Sequence, residues 1–201
     1  MKHFIITLLM LLPMAATAQD NSWERVETAT TANSDAKYLA GAVPEEDGRV
    51  VFATTIKAPG KSAKQIYDLL KKDFERIVKE ENQLEQSRVT VADSTKFQLV
   101  GNYQEWLVFT NKLLSLDRTR LFYNLVADCS DGEVLIRMTR IHYLYDEERN
   151  PTTYRAEEWI TDRWGLNKKK TKLARVSGKF RRKTIDRKDY LFNRFNNLLT
   201  K

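Results

Sequence analysis

Residues 119–145 constrain the fold most, because they read as one long antiparallel β-hairpin. Asp131-Gly132 supplies its turn, since both residues accept the positive φ angles of a tight two-residue connection. If Ser130 pairs with Glu133, the apolar partners on one side of the sheet follow from the alternation of side chains along each strand. These partners are Cys129 with Val134, Ala127 with Ile136, and Leu125 with Met138.

The apolar alternation changes phase after Met138, where Ile141, Tyr143 and Tyr145 become the apolar set. One bulge near Thr139-Arg140 restores the match, because it adds a residue to one strand only. The same bulge places Ile141 beside Tyr123 and Tyr143 beside Leu121. A strand pair of this length can form the floor of a whole domain.

A strand and a capped helix precede the hairpin. Residues 49–56 are rich in β-branched and aromatic side chains, which predicts a strand after a turn at residues 43–48. Ser62 then begins a helix, and Gln65 completes a capping box three residues later. The helix has one apolar face, because its apolar residues recur at spacings of three and four. They are Ala63, Ile66, Tyr67, Leu70, Phe74, Ile77 and Val78.

Two further pieces of sheet are predicted between this helix and the long hairpin. Residues 88–91 indicate a short strand. Gly101-Asn102 is a second dipeptide typical of tight turns, which predicts another hairpin from residues 96–100 and 103–110. Residues 111–118 then connect this hairpin to the long one.

Two helices are predicted after the long hairpin, over residues 154–166 and 186–199. Asp186 and Asp189 are favourably placed at the positive end of the dipole of the second helix. The apolar residues at helical spacing are Ala156, Trp159, Ile160 and Trp164 in the first, and Tyr190, Leu191, Phe195, Leu198 and Leu199 in the second. The predicted fold class is α+β: an antiparallel sheet with a long central hairpin, packed on one face by an N-terminal and a C-terminal amphipathic helix.

The N-terminus has the pattern of a secretory signal peptide. Met1-Lys2-His3 is basic, residues 4–12 are apolar, and Ala16-Thr17-Ala18 supplies the small residues for cleavage before Gln19. The apolar run is shorter than the roughly 20 residues that span a bilayer, which disfavours an N-terminal anchor. No cysteine lies at the cleavage point, so a lipoprotein is not expected. We predict export, to the periplasm or beyond the cell.

The rest of the chain reads as a leader and one domain. Residues 19–36 are rich in Thr, Ala, Asn and Ser and have little apolar surface to bury, which predicts a flexible leader after the signal peptide of residues 1–18. Residues 37–200 have the length of a single domain.

Positive charge is concentrated near the C-terminus. Residues 168–188 contain eleven Lys or Arg and one Asp, a net charge of +10, whereas the whole chain without its signal carries +6. The remainder is therefore net −4. The cations either contact an anionic partner or balance the acidic remainder through intramolecular pairs. The candidates for anion contact are Lys168, Lys169, Lys170, Lys172, Lys179, Arg181, Arg182 and Lys183.

Export decides between the partners of such a segment. Nucleic acid is the default partner of cations interleaved with aromatic residues in a cytoplasmic chain, but it is not expected in the envelope. Anionic lipid, acidic polysaccharide or another envelope protein is the partner class found there. We interpret the chain as an exported, non-catalytic binding or interaction domain that uses a sheet face or the basic segment 168–188.

A hydrolase or metal-binding enzyme is the alternative. Glu157, Glu158 and Asp162 fall within the first predicted C-terminal helix, and Glu158 and Asp162 are four residues apart on one face. Such a spacing suits a shared proton or a bound cation. The same carboxylates can instead pair with Arg155 and Arg163 on a solvated surface.

Other catalytic patterns are missing from the sequence. It has no P-loop, no Gly-rich dinucleotide turn and no nucleophile elbow. After the signal, the only cysteine is Cys129 and the only histidine is His142, far apart along the long hairpin. This separation disfavours a Cys–His pair and a metal site of the usual ligands, and no cofactor is indicated. Cys129 is predicted to be a core residue, and His142 a surface residue.

Several blocks of the sequence resemble one bacterial family, DUF4468, a domain of unknown function with a TATA-binding-protein-like fold. The blocks are YLAGAVP (38–44), GRVVF (48–52), APGKSA (58–63), LDRTR (116–120), AEEWITD (156–162) and KFRRKTID (179–186). The resemblance spans essentially the whole domain and implies a β-α-β-rich-α architecture. It implies no activity, because the family has no assigned catalytic or binding residues, and the fold by itself does not imply DNA binding.

We expect N-terminal sequencing of the protein recovered from the envelope or the medium to begin Gln19-Asp20-Asn21. The substitution Ala18→Arg should leave an unprocessed precursor, because signal peptidase requires small residues at the cleavage site. Thr17→Arg is the matched control, since the residue between the two alanines is not read. A wild-type protein that keeps Met1 would contradict the predicted export.

Overall fold

The computed structural model describes residues 35–112 and 115–201. The predicted signal peptide, its cleavage site and almost all of the predicted leader lie outside the described residues. Within those residues, no helix is long and apolar enough to cross a lipid bilayer.

The described elements follow one another in a β-α-β-rich-α order. They are β1 (Glu45–Glu46), β2 (Arg49–Val50), β3 (Phe52–Lys57), α1 (Ala63–Ile77), β4 (Arg88–Asp93), β5 (Gln98–Lys112), β6 (Ser115–Ser130), β7 (Glu133–Tyr145), β8 (Thr152–Arg155) and α2 (Ser177–Thr200). Single 3₁₀ turns at Ala36–Tyr38 and Ala156–Glu158 precede β1 and follow β8.

One antiparallel sheet holds most of these strands, in the order β3-β7-β6-β5-β4. Strand β8 also pairs with β7, along residues 142–145, whereas β3 pairs along residues 133–138. Because β6 occupies the other edge of β7, the two short strands β3 and β8 share one edge of it. Strands β1 and β2 form a separate two-stranded ribbon.

The long hairpin has the predicted turn, register and bulge. Ser130 pairs with Glu133 across Asp131-Gly132, where Gly132 has a φ of 77°. The register shifts between Phe122 and Asn124, opposite Arg140, which has a φ of 56°. The bulge shifts the alternation of β7 by one residue. Val134, Ile136 and Met138 before it and Ile141 and Tyr143 after it are therefore all buried on the same face of the sheet.

Helix α1 also matches the prediction. The Ser62 hydroxyl accepts from the amide of Gln65, and the Gln65 side chain accepts from the amide of Ser62, which completes the capping box. In addition, the carboxylate of Asp131, in the turn of the long hairpin, accepts from the amide of Ala63 at 2.7 Å. The start of α1 is therefore tied to the corner of the hairpin.

Both helices pack on the same face of the sheet. The Phe74 ring of α1 lies 5.5 Å from that of Phe195 in α2 and 6.3 Å from that of Tyr103 in β5, measured between centroids. Phe180 of α2 lies edge-on to Tyr143 of β7 at 5.2 Å. One continuous buried cluster is formed by apolar residues of α1, α2, β3, β5, β6 and β7. The predicted α+β class is confirmed.

The predicted second hairpin at Gly101-Asn102 is wrong, because β5 runs without a turn from Gln98 to Lys112. Gly101 is instead required by packing. A Cβ atom there would lie 2.5 Å from the ring of Tyr103, which folds back over the glycine on the core face. Strand β5 continues to Lys112 and β6 begins at Ser115, so the predicted connection over residues 111–118 is mostly strand as well.

The two C-terminal helices were also predicted with the wrong bounds. Residues 154–166 form the end of β8, one 3₁₀ turn and irregular loop rather than a helix. Helix α2 begins at Ser177, nine residues before the predicted start at Asp186. Asp186 and Asp189 therefore lie in the middle of the helix, where they do not complement the positive end of its dipole.

A buried ion network joins α2 to the sheet. The Arg187 side chain of α2 has no exposed surface, and it donates to both carboxylate oxygens of Glu105 in β5, at 2.8 and 2.7 Å. Arg187 also contacts Glu80, at 2.8 Å, and the hydroxyl of Tyr123 donates to Glu105. Arg194, two turns further along α2, pairs with Glu80 and with Asp73 of α1.

Burial and the neighbouring positive charge shift the pKa of Glu105 in opposite directions. Desolvation raises the pKa of the Glu105 carboxyl, whereas the charge and hydrogen bonds of Arg187 lower it. Desolvation lowers the pKa of the Arg187 guanidinium, but the interactions with Glu105, Tyr123 and Glu80 outweigh it, so this pKa is raised. The bidentate geometry indicates an ionised pair in which each charge depends on the other, because an isolated charge in this position is strongly unfavourable.

The substitution Gly101→Ala should lower the free energy of unfolding by about 1–3 kcal/mol, because the buried Tyr103 ring must leave its place. Strand propensity alone predicts the opposite sign, since alanine is less flexible than glycine. Asn102→Ala, which faces away from the core, should change stability by less than about 0.5 kcal/mol. Urea unfolding measures both, and a stabilised Gly101→Ala would show that the ring is not confined.

The substitution Arg187→Met should cost about 3–5 kcal/mol near neutral pH, because it leaves Glu105 buried without its cation. The double variant Arg187→Met/Glu105→Gln should recover at least about 1 kcal/mol of this loss, since glutamine is neutral and still accepts from Tyr123.

The deficit of Arg187→Met should also depend on pH. Without Arg187 the pKa of Glu105 rises further, so the folded state keeps a proton that the unfolded chain releases. Stability then falls as the pH rises above the ordinary carboxyl pKa, and the deficit should be smallest near about pH 4. Urea unfolding at several pH values measures this, and a deficit that is constant between about pH 4 and neutrality would contradict it.

Candidate functional site

Residues 163–176, which we call the basic loop, form a closed, hairpin-like loop just before α2. Ala174 donates its amide to the carbonyl of Gly165 at 2.9 Å, and Leu166 pairs with Leu173 in an isolated bridge. At the tip, the side chain of Asn167 accepts from the amides of Thr171 and Lys172, at 2.9 and 3.2 Å. The loop is therefore an ordered structure with its own hydrogen bonds.

The surface of the basic loop is cationic and contains no acidic residue. Its cations are Arg163, Lys168, Lys169, Lys170, Lys172 and Arg175, and all six residues are exposed. Among the residues that the structure describes, no carboxylate lies within 4.0 Å of these six charged groups. Leu166 and Leu173 point the other way, into or against the hydrophobic core.

Two large apolar side chains lie exposed at the base of the basic loop. Trp164 is 46% exposed and Val176 is 54% exposed. They lie on the two arms of the loop, whose backbones are close at this point because the hydroxyl of Ser177, next to Val176, donates to the carbonyl of Trp164 at 2.5 Å. The guanidinium of Arg163 lies 4.8 Å from the centroid of the Trp164 ring.

The other predicted anion contacts belong to α2 and are engaged within the fold. Lys179 pairs with Asp117 at 2.6 Å, and Arg182 pairs with Asp35 at 2.6 Å. Arg181 has no exposed side-chain surface, and Lys183 is buried. Of the eight predicted cations, only the four lysines of the basic loop remain open to an outside ligand.

Arg181 fixes the base of the basic loop. Its guanidinium donates to the carbonyls of Tyr38, Leu39 and Ile160, at 2.6, 2.6 and 2.7 Å, and to Asp162 at 2.8 Å. Burial lowers the pKa of the Arg181 guanidinium, and Asp162 opposes this. Gly165 packs so closely that an added Cβ would lie 2.8 Å from the Arg181 side chain and 2.7 Å from the Ile160 carbonyl. The base of the loop is thus fixed by hydrogen bonds of Arg181 and by close packing at Gly165.

The three predicted acidic residues are separated and bound to other parts of the chain. Glu157 accepts from the amide of Val50 at 2.9 Å, Glu158 pairs with Arg155, and Asp162 accepts from Gly41 and Arg181. Because residues 154–166 are not a helix, Glu158 and Asp162 do not share a helical face. Within the described residues, no group of three or more His, Cys, Asp or Glu is placed to hold a metal ion.

Cys129 and His142 lie on opposite faces of the sheet. Cys129 is buried in the core, and burial raises the pKa of its thiol to about 12, so the thiol is protonated at neutral pH. His142 lies on the sheet face opposite the helices and stacks on Phe122, with ring centroids 4.4 Å apart. The two side chains therefore cannot form a nucleophile and base.

The sheet face opposite the helices is a second open surface, but its charges are matched. Arg118, which lies over the Trp106 ring at 3.7 Å, pairs with Glu148 at 3.9 Å, and Arg120 pairs with Glu147 at 2.6 Å. Lower on the same face Arg137 pairs with Asp128 at 2.5 Å. These arginines are therefore offset by carboxylates on the same face, in contrast to the cations of the basic loop.

Four residues of the basic loop do not belong to the predicted set of anion contacts. They are Arg163, Trp164, Arg175 and Val176. The signal that identifies them is the absence of any Asp or Glu from residue 163 to residue 176. The prediction instead followed the density of cations, which extends into α2, where the positive side chains are structural.

Two solved structures are similar to this chain. A DUF4468 family protein from Bacteroides ovatus ATCC 8483 is 41% identical, over 85% of this chain and 97% of that one, with a TM-score of 0.78. A TBP-like protein from Parabacteroides distasonis ATCC 8503 is 20% identical, over 78% of this chain and 96% of that one, with a TM-score of 0.62. The second similarity concerns the fold alone.

The family profile described as "Domain of unknown function (DUF4468) with TBP-like fold" matches residues 52–144, from the first long strand to the end of β7. No curated protein matches the chain. The resemblance inferred from the sequence blocks is confirmed by the identity of 41% over nearly the whole B. ovatus protein. The chain belongs to the DUF4468 family and has its TBP-like α+β fold.

Proposed function

We propose that this protein is an exported, non-catalytic binding domain that contacts an anionic component of the cell envelope through the basic loop. The single observation that carries the proposal is the set of six exposed cations without a neighbouring carboxylate in the described part of the chain. Export is supported by the signal-peptide pattern of residues 1–18.

The distribution of paired and unpaired charges favours the basic loop over other surfaces. In α2, Lys179 and Arg182 pair with carboxylates of the same chain. On the open sheet face, Arg118, Arg120 and Arg137 do the same. Such surface pairs contribute little to stability, but they neutralise the local field. The basic loop keeps its field, and an uncompensated cationic projection attracts anionic surfaces over a distance of about a Debye length, about 8–10 Å.

The rigidity of the basic loop also supports a binding role. The Asn167 side chain holds the tip, and Arg181 holds the base. A flexible lysine-rich segment loses conformational entropy when it binds, whereas an ordered loop has lost it during folding. The lysines are thus presented as a preorganised group.

The variant Lys168→Gln/Lys169→Gln/Lys170→Gln/Lys172→Gln tests this function. Its affinity for vesicles that contain phosphatidylglycerol should fall at least about 100-fold at low salt, because each cation near an anionic bilayer contributes about 1 kcal/mol. Vesicle co-sedimentation measures the affinity. Wild-type binding should weaken steeply as salt is added.

The matched control removes the same number of exposed positive charges elsewhere, as Lys72→Gln/Lys79→Gln/Arg88→Gln/Lys96→Gln. These four residues lie on α1, β4 and nearby turns, and all four are exposed. The control should bind nearly as well as the wild type. Equal losses in the two variants would show that only net charge matters, and binding that ignores salt and the loop variant would exclude the proposed function.

A further inference from the structure

We infer that the basic loop is a membrane-docking element, in which Trp164 and Val176 enter the interface of an anionic lipid bilayer while the surrounding cations contact the head groups. This inference rests on the proposed function and names the partner of the same site. It starts from the exposed apolar pair at the base of the loop, which charge attraction alone does not explain.

The apolar pair has the composition of an interfacial anchor. Arg163-Trp164 on one arm lies beside Arg175-Val176 on the other, joined through the Ser177 hydroxyl and the Trp164 carbonyl. Each exposed apolar residue is thus adjacent in sequence to an arginine. Tryptophan, with an apolar ring and a polar N–H, is enriched at the boundary between head groups and acyl chains.

The exposed apolar side chains of the described residues are few, and they are not spread evenly. Four large hydrophobic residues are exposed: Val91, Leu116, Trp164 and Val176. Val91 lies on an edge strand and Leu116 near the start of β6, whereas Trp164 and Val176 lie among the six cations of the basic loop. Apolar surface combined with anion attraction is the combination that peripheral membrane proteins use.

An acidic polysaccharide fits the same surface less well. A sugar is held largely through hydrogen bonds to its hydroxyls, which the aliphatic Val176 cannot make, and Arg163 covers one face of the Trp164 ring on which a sugar could stack. A bilayer, by contrast, gains from the burial of both side chains, because apolar surface leaves water. The chemistry of the pair therefore selects lipid.

The test compares Trp164→Ser/Val176→Ser with Val91→Ser/Leu116→Ser, which removes two exposed apolar side chains elsewhere. Each variant and the wild type are titrated with vesicles that contain phosphatidylglycerol, with pure phosphatidylcholine vesicles, and with polygalacturonate as a soluble polyanion. The first variant should bind the anionic vesicles about tenfold more weakly than the wild type, since two apolar side chains no longer partition. The second variant should bind like the wild type.

Tryptophan fluorescence supplies a direct reading of insertion. On anionic vesicles, the wild type should show a blue-shifted emission that brominated lipid quenches, and Trp164→Phe should lose this change. Wild type and both serine variants should bind polygalacturonate equally, or not at all.

Two outcomes overturn the inference. The first is anionic vesicle binding that is unchanged in Trp164→Ser/Val176→Ser. The second is vesicle binding without any change in Trp164 emission. In both cases a loss of binding in the four-lysine variant would still support the proposed anion contact, whereas equal binding by that variant would reject the proposed function itself.

Discussion

The contact between Arg187 and Glu105 is the constraint on which the arrangement of this domain depends. One charge lies in the middle of a strand and the other in the middle of α2, and neither has any exposed side-chain surface. A buried ion pair contributes little net stability compared with a hydrophobic pair, but it strongly penalises any packing that separates its members. The register of the helix on the sheet is therefore selected electrostatically as well as by apolar packing.

This register determines what happens to the C-terminal cations. With Arg187 fixed on Glu105, the preceding turns of α2 bring Arg181 under the carbonyls of the N-terminal segment and Lys179 to Asp117. These cations of α2 donate hydrogen bonds within the fold, whereas the cations before Ser177 lie exposed on the basic loop. One run of positive residues in the sequence thus divides, at the start of a helix, into an internal half and an external half.

The elements that the sequence predicted well are those whose determinants are local. The Asp131-Gly132 turn, the phase change after Met138 and the capping box at Ser62 each lie within a few residues of the structure they produce. Gly101 looks like a turn residue for the same local reasons, but its role depends on the packing of the Tyr103 ring against the sheet.

The start of α2 was missed because arginines occupy core positions of the helix. A buried Arg181 or Arg187 is counted as a surface residue by any hydrophobic pattern, so the apolar stripe is visible only after Asp186. Residues 154–166 show the reverse error. Trp159 stacks on Tyr154 at 3.8 Å, and the aromatic spacing that imitates a helix arises from a loop folded onto the sheet. The candidate site depended on this boundary, since it separates the open lysines from the engaged ones.

The bulge at Arg140 has a consequence for how this architecture can vary. It lies between the two stretches of β7 that pair with β3 and with β8, so the outer edge of β7 carries two separate ladders with a kink between them. Residues 146–151 can change in length without moving the β3 ladder, because the kink and the β6 pairing hold β7 in place. The β8 end of the sheet can therefore change in length or sequence while the pairing of β3 with β7 stays the same.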